Sequence, residues 1–487
     1  MGETREIGKE AFPFFIGRFS SHAINFIIII FMARLLGPVD YGIFSLGITL
    51  LMLFYTLSVI GVDVSTPYFV SRAIAEKDYD KARSVYNQAF RMRIIAALIM
   101  SLILYLLSDW LSAVYNLPSL SFVSKIFSIG TFAYSIIYFF TTAYQGFKKL
   151  KYSMFQDLFF TVSRFIILPL ILIAGLIGAV YGQVISTILT LCLGLIFIYK
   201  KVLPKNPHKE VNMYSKLIKY SLISYLGFII AYFSGYIGSI IMGSYPEQVA
   251  YLTLSQRIGL FIGLPAASLS IALFPSISSK LDKSKINNIF SLTTKYTILL
   301  SCFLSFLVIS ITREAIIFFL TSTYMPGLAT IQLMTAGEFL LSATVSFDAL
   351  FLGINKPGLA TKGKLVQGVC SILLTALLVI PYQSIGVGLA FVISNIIYLS
   401  YLLIISRKLK ANYPLSYLLR MIACGLIASM VVFINFERSI ISLLVKTTGF
   451  LGLFLLAGYL LNVIRKNEYL LVKKTFLYIG RLGKRKT

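Results

Sequence analysis

Histidine and cysteine are scarce in this chain, with two and four residues among 487. The cysteines, Cys192, Cys302, Cys370 and Cys424, have neither metal-ligand spacing nor a disulfide-like pattern. They read as small apolar fillers, and neither a metal nor another cofactor is expected. Acidic residues are few, 18 against 44 basic ones. No paired carboxylates face each other on the short outer connections 34–40, 115–121, 243–248 and 319–326. An enzyme working by acid–base chemistry there is therefore not indicated. A Gly-rich loop of P-loop type is missing, so ATP hydrolysis is not implied. Long polar stretches are missing too, and no connection has room for a folded soluble domain. Tryptophan occurs once, as Trp110 near the end of an apolar stretch, where a membrane-interface anchor is expected.

Apolar runs fill nearly all the rest. The composition is 58% hydrophobic and 13% charged. Fourteen stretches are long enough to cross a bilayer: 11–33, 41–68, 94–114, 122–144, 156–174, 177–199, 217–242, 249–274, 296–318, 327–351, 365–382, 385–406, 417–436 and 443–463. About 20 apolar residues match a hydrocarbon core of roughly 30 Å. Backbone groups in lipid must be satisfied within their own segment, so these spans are expected to be helices. The predicted class is an all-α polytopic membrane protein. Met1 to Glu10 is too charged for a signal segment, so the first span is expected to stay as an anchor.

Basic residues set the expected orientation. With both termini cytoplasmic, 35 of the 44 Lys and Arg fall on cytoplasmic segments and five on the outside or its borders. That asymmetry is the positive-inside pattern. The net charge of +26 then reflects topology and attraction to anionic lipids, not nucleic-acid binding. Residues 464–487 mix apolar and basic side chains and read either as a short surface helix or as a frayed tail. The expected location is the plasma membrane, and the expected state is a monomer.

The two halves echo each other at a fixed offset. Residues 177–186 read IGAVYGQVIS and residues 385–394 read IGVGLAFVIS, 208 positions on. Residues 41–46, YGIFSL, fall opposite 249–254, VAYLTL, at the same offset of 208. The offset covers six spans, an even number, so the repeats point the same way. Two six-helix lobes follow, 1–199 and 217–406, joined by a cytoplasmic linker, 200–216. Spans thirteen and fourteen, within 407–463, are an addition, and 464–487 is a basic tail. Duplicated lobes around a cavity are the architecture of alternating access.

Certain segments carry a family resemblance. They are Arg34-Leu-Leu-Gly37-Pro-Val-Asp-Tyr41-Gly42-Ile-Phe-Ser45, the run GVDVSTPYFVSRAIA from Gly61 to Ala75, Tyr144-Gln-Gly146-Phe-Lys148, and Ile177-Gly178. Together they resemble the polysaccharide-export branch of the multidrug/oligosaccharidyl-lipid/polysaccharide exporter superfamily, which contains O-antigen-type flippases. The resemblance covers about 10–406. It implies a transporter that moves lipid-linked oligosaccharides between leaflets. Gly37 and Pro38 are expected to stop one helix, and Tyr41-Gly42 to start the next.

Ionisable side chains inside spans are costly and need a reason. Arg18, His22 and Asn25 are spaced i, i+4, i+7 and share one helical face. Arg164, seven residues after Asp157, lies in span five, and Gln256-Arg257 lies in span eight. A lipid-linked glycan carries phosphate, and Arg offers it planar bidentate donors. Arg18, His22, Asn25, Arg164, Gln256 and Arg257 are therefore the expected head-group residues. Glu338, Asp348 and Asp63 are candidates for coupling to H+ or Na+. Each has a structural alternative: Asp157 and Asp348 as snorkelling side chains, Arg164 bridged to Asp157, Asp63 ending span two, and His22 in helix packing. Lys125, Arg313 with Glu314, Arg420 and Lys446 read as border anchors. The span-seven aromatics Tyr220, Tyr225, Phe228, Tyr232, Phe233 and Tyr236 read as sugar-stacking faces or as ordinary packing. An ion-coupled drug-type exporter of the same superfamily is the alternative function, and a membrane glycosyltransferase or polymerase is a more distant one.

Overall fold

In the computed structural model the described residues are 2–204, 211–278, 283–354, 356–433 and 439–463. For some of them, including 2–19 and 271–278, only the backbone is described. The tail after Val463 lies outside the described residues. Helix dominates, and no strand occurs among the described residues. Apolar spans cannot leave backbone groups unbonded in lipid, so helix is the form they take.

The helices are α1 Gly2–Ser58, α2 Val62–Ala75, α3 Tyr79–Tyr115, α4 Pro118–Gly146, α5 Leu150–Ser163, α6 Ile167–Phe197 and α7 Tyr214–Ile241. They continue with α8 Pro246–Ser278, α9 Lys283–Phe319, α10 Leu328–Ser342, α11 Val345–Gly353, α12 Pro357–Lys408, α13 Leu415–Ser429 and α14 Ser439–Leu460. Ten helical stretches among the described residues are long and apolar enough to cross a membrane. The chain is a multi-pass membrane protein.

Three of the longest helices contain an internal break. Helix α1 bends at Gly37, where the sequence motif placed a helix end. Helix α6 turns at Gly175 and α12 at Gln383. Both of these are reversals. A Cβ built on Gly178 would lie 1.9 Å from the Leu170 carbonyl oxygen, and one on Gly386 would lie 2.0 Å from that of Leu378. Eight residues of straight helix would separate those atoms by about 12 Å. Every one of these pairs repeats at the offset of 208, so the two reversals are built alike.

One span departs from its expected form. Residues 41–68 read as a single crossing, but the helix stops at Ser58 and restarts at Val62. Ile60 (φ 44°) and Gly61 (φ 74°) take left-handed conformations between them. A Cβ on Gly61 would lie 2.2 Å from the Ser221 carbonyl oxygen, so only glycine admits α7 this close. The apolar run hides the break because Gly61 is its only local signal.

The chain packs as two compact units. Unit 1 comprises the described residues to Ile258 with Phe319–Ile331 and Lys362–Ser394. Its core includes Val62, Val70, Tyr86, Phe139, Phe140, Tyr144 and Leu217. The described ends of the linker dock on α3. Gln88 donates to the Val211 carbonyl (2.8 Å) and accepts from the Met213 amide (2.7 Å). At the turn after α2, Lys81 and then Arg72 bond Glu76 and hold its carboxyl below the usual range.

Unit 2 comprises Gly259–Phe318, Gln332–Thr361 and the described residues from Asn395 onward. Its core gathers Phe290, Cys302, Phe347, Tyr413, Met421, Phe450 and Phe454. The added spans α13 and α14 thus pack into it. Glu314 and Lys446 overturn an expectation here. They read as border anchors, yet they form a buried ion pair of 2.6 Å between α9 and α14, with side chains 5% and 1% exposed. Lys446 also donates to the Val432 carbonyl (3.2 Å), and the Ser442 hydroxyl approaches Glu314 at 3.4 Å. Two opposite charges far apart in sequence gave no hint of this pairing. Trp110 is 60% exposed at the far end of α3, as an interface anchor should be.

Candidate functional site

Within unit 1 the end of α5 tightens into a 3₁₀ turn, Arg164–Ile166, before α6 begins. Arg164 opens that turn and reaches two other helices. Its Nε donates to Gln183 Oε1 on α6 at 3.0 Å. Its Nη1 donates to Asn25 Oδ1 on α1. Both acceptors are neutral amides, so the guanidinium turns to these and not to Asp157. The Tyr41 hydroxyl, buried just after the Gly37 bend, lies within electrostatic reach of both Arg257 and Arg164. The two arginines are close enough to repel each other. Among the described residues neither forms an ion pair with a carboxylate. The result is a concentration of positive charge on a neutral scaffold, a setting that attracts an anion.

The sequence-predicted head-group residues meet only in part. Asn25 meets Arg164, and Arg164 and Arg257 both lie within electrostatic reach of Tyr41. Gln256 instead donates to the Gly235 carbonyl of α7 at 3.0 Å. His22 is exposed one turn before Asn25. The side chain of Arg18 lies outside the described residues, as does that of Phe228.

A tyrosine cluster continues from this cationic end. Tyr134 of α4 lies within electrostatic reach of Arg164. Its hydroxyl donates to that of Tyr138 at 2.8 Å. Tyr55 of α1 packs on both, with ring centroids 5.3 Å from each. Tyr232 and Tyr236 of α7 stack at 4.4 Å. Tyr232 is electrostatically coupled to Tyr55, and Tyr236 to Tyr134. Tyr220 stacks on Tyr68 at 4.8 Å. Gln183, Tyr134 and Tyr138 were not singled out by sequence reasoning, and Tyr41 was read only as the start of a helix. Tyr134 and Tyr138, spaced i, i+4 on one span, carried a signal that could have found them.

The ion-coupling candidates fall into separate surroundings. Asp63 opens α2 and lies 3.6 Å from Arg93 Nη2 of α3. Arg93, just before span three, is fully buried. Glu338 of α10 rests on two glycines of α8. A Cβ on Gly263 would lie 2.5 Å from Glu338 Oε1, and one on Gly259 would lie 3.6 Å from Oε2. Among the described residues nothing hydrogen-bonds that carboxylate. Asp348 of α11 is partly buried, within electrostatic reach of Tyr398. No group of three or more His, Cys, Asp and Glu converges among the described residues.

A family model described as polysaccharide biosynthesis protein matches residues 7–281, more than half of the chain. The chain belongs to this polysaccharide biosynthesis family. It is 24% identical over 238 residues to the probable low-salt glycan biosynthesis flippase Agl15 of Haloferax volcanii. That match takes in 46% of this chain and 48% of that protein, so the chain spans about half the length of this curated relative. Among solved structures, the lipid II flippase MurJ in an inward closed conformation superposes with a TM-score of 0.76 at 18% identity, over 92% of this chain and 98% of that one. An inward-facing multidrug resistance MATE family transporter of the MOP superfamily superposes with a TM-score of 0.64 at 14% identity, over 82% and 99%. These two likenesses establish the fold of this polysaccharide biosynthesis family member.

Proposed function

We propose that this chain flips lipid-linked oligosaccharide or polysaccharide precursors from the inner to the outer leaflet by alternating access. The observation that carries this reading is the pair Arg164 and Arg257 around Tyr41, two intramembrane cations without a carboxylate counter-ion among the described residues. A phosphate between isoprenoid and glycan would supply the missing charge, and the guanidinium fork suits its geometry. Asn25 and Gln183 hold Arg164 in place, and Arg18 and His22 lie on the same helix face as Asn25. The tyrosine cluster beside Arg164 offers ring faces and hydroxyls to the sugars. A lipid tail could stay in the bilayer while the head group crosses. Membership of the polysaccharide biosynthesis family and the curated flippase relative support this reading.

The moving parts are the repeat lobes 1–199 and 217–406, and fourteen crossings leave both termini cytoplasmic. The basic cytoplasmic face would rest against anionic lipids, and one chain would suffice. Coupling to H+ or Na+ would run through Asp63, Glu338 or Asp348. The drug-type exporter reading fares worse at this site, because paired arginines repel the organic cations such a transporter would carry. An enzyme acting on the same glycans would need catalytic carboxylates that the short outer connections do not supply.

Native mass spectrometry of the purified protein with an isoprenyl-diphosphate-linked sugar tests the site directly. The wild-type chain should retain the lipid, and Arg164→Ala/Arg257→Ala should lose it. Equal retention by both would remove these arginines from recognition.

A further inference from the structure

The break in the second crossing places a buried ion pair where a continuous helix was expected. Arg93 is fully buried, and its Nε donates to the Ser135 carbonyl at 3.1 Å. Its Cζ sits 5.3 Å from the centre of the Tyr55 ring. Its Nη2 comes within 3.6 Å of Asp63 Oδ2, close enough for attraction but too long for a hydrogen bond. Nη1, Nη2 and Asp63 Oδ1 are buried without a hydrogen-bond partner among the described residues. A charged pair with this much unused bonding capacity is poorly quenched for its depth.

The surrounding contacts hold the broken helix closed over the pair. The Tyr225 hydroxyl of α7 donates to the Leu57 carbonyl at 2.8 Å and lies 3.3 Å from that of Thr56. The Thr56 carbonyl also accepts from the Val59 amide at 3.2 Å, and that of Leu57 is one that the end of α1 leaves open. Ser65 and Ser221 join α2 to α7 at 2.8 Å, and Ser58 meets Ser135 at 2.8 Å. The titratable and charged groups facing Asp63 are Arg93 from α3 and Tyr55 from α1. Tyr134 and Tyr138 of α4 pack beyond Tyr55, and Tyr225 of α7 lies beside the break.

We propose that Asp63 is a proton-binding site, and that a proton on it opens the 56–65 break by leaving Arg93 without its counter-ion. This rests on the flippase reading for its purpose, but not for its physics. With Asp63 ionised, the pair is neutral and the closed arrangement is tolerable. A proton from water adds to the unbonded Oδ1, giving a neutral carboxylic acid. Arg93 cannot give up its own charge. It is then a lone buried cation, and the closed state loses its compensation. The favoured state is one in which the guanidinium reaches water or an anionic ligand. Proton binding and opening therefore promote each other, as linkage requires. The same guanidinium could then serve an anionic head group that Asp63 had excluded.

Hydrogen–deuterium exchange of the amides at 58–66, in lipid nanodiscs without substrate, reads the opening. After correction for intrinsic rates, wild-type exchange should rise as pH falls, by up to about tenfold per pH unit, the limit for one proton. Asp63→Asn, which mimics the protonated acid, should exchange fast at every pH. Asp63→Glu should keep the slope and shift its midpoint, and it decides the matter if the Asn variant does not fold. A flat wild-type profile, an Asn variant with the wild-type slope, or a Glu variant with an unmoved midpoint would overturn the proposal. The experiment uses no glycan, so a wild-type chain that fails to flip lipid would sink the transport reading without touching this result.

Discussion

Gln383 carries the same backbone distortion as Gly175, its counterpart 208 residues earlier. The dihedrals are φ 49°, ψ −128° at Gln383 and φ 54°, ψ −130° at Gly175. Glycine adopts that region freely, and a side chain makes it strained, at about 1–3 kcal/mol. Both residues make the turn between adjacent helices, so the geometry was kept in each repeat while the glycine was not. Gln383→Gly should raise the thermal unfolding midpoint of the detergent-solubilised protein. Gly175→Gln should lower it, and since nothing lies within 4 Å of a Cβ there, the loss would be conformational.

The pair Glu314–Lys446 should behave as a buried bridge, not as two surface anchors. Removing one partner, as in Lys446→Met, leaves an uncompensated charge and should cost about 3–5 kcal/mol. The double variant Glu314→Leu/Lys446→Met should recover most of that. Thermal midpoints of the four proteins in a double-mutant cycle check this. Equal, additive losses would mean that the residues act independently.

Glu338 depends on the bare face of α8. Gly263→Ala would put a methyl group 2.5 Å from its Oε1, but that oxygen ends a flexible side chain, so the carboxylate should swing aside and stability should change by less than about 1 kcal/mol. Gly259→Ala, with 3.6 Å to spare, should be close to neutral. A loss of more than about 1–3 kcal/mol in Gly263→Ala would show instead that the carboxylate is held against that face and cannot leave it.

Orientation has its own test. In a chain with the four native cysteines replaced, a cysteine at Ser119 should react with an impermeant thiol reagent only from outside the cell. One at Lys149 should react only from the cytoplasmic side. Both positions are exposed. The basis is the distribution of Lys and Arg. Labelling of both from the same side would break the fourteen-crossing topology.

Much of the fold was legible because lipid leaves an apolar run few options. Helices, the reversals at 175 and 383, and the repeat offset all followed from hydropathy and two short echoes. The Gly37 bend followed from its motif. The break at 59–61 did not, since an interrupted span stays apolar through the interruption and only Gly61 marks it. The site was legible where a charge stood alone in an apolar run, as with Arg164 and Arg257. It was illegible where burial came from tertiary packing. Arg93 and Lys446 sit near span ends and carry the same one-letter signal as any border cation. Only the helices around them reveal that one faces Asp63 and the other Glu314.

Flipping itself is the most direct measurement. Vesicles containing the purified chain would be loaded with a fluorescent isoprenyl-diphosphate-linked sugar, and an impermeant reductant would report the fraction in the outer leaflet. Wild-type vesicles should expose lipid from the inner leaflet well above the rate of protein-free vesicles. Arg164→Ala and Arg257→Ala should each slow this about 10- to 100-fold at normal abundance, the range for losing a charged hydrogen bond. Lys at either position should restore it only in part. Exposure at the protein-free rate in wild-type vesicles, or full activity in both Ala variants, would contradict head-group recognition by the paired arginines.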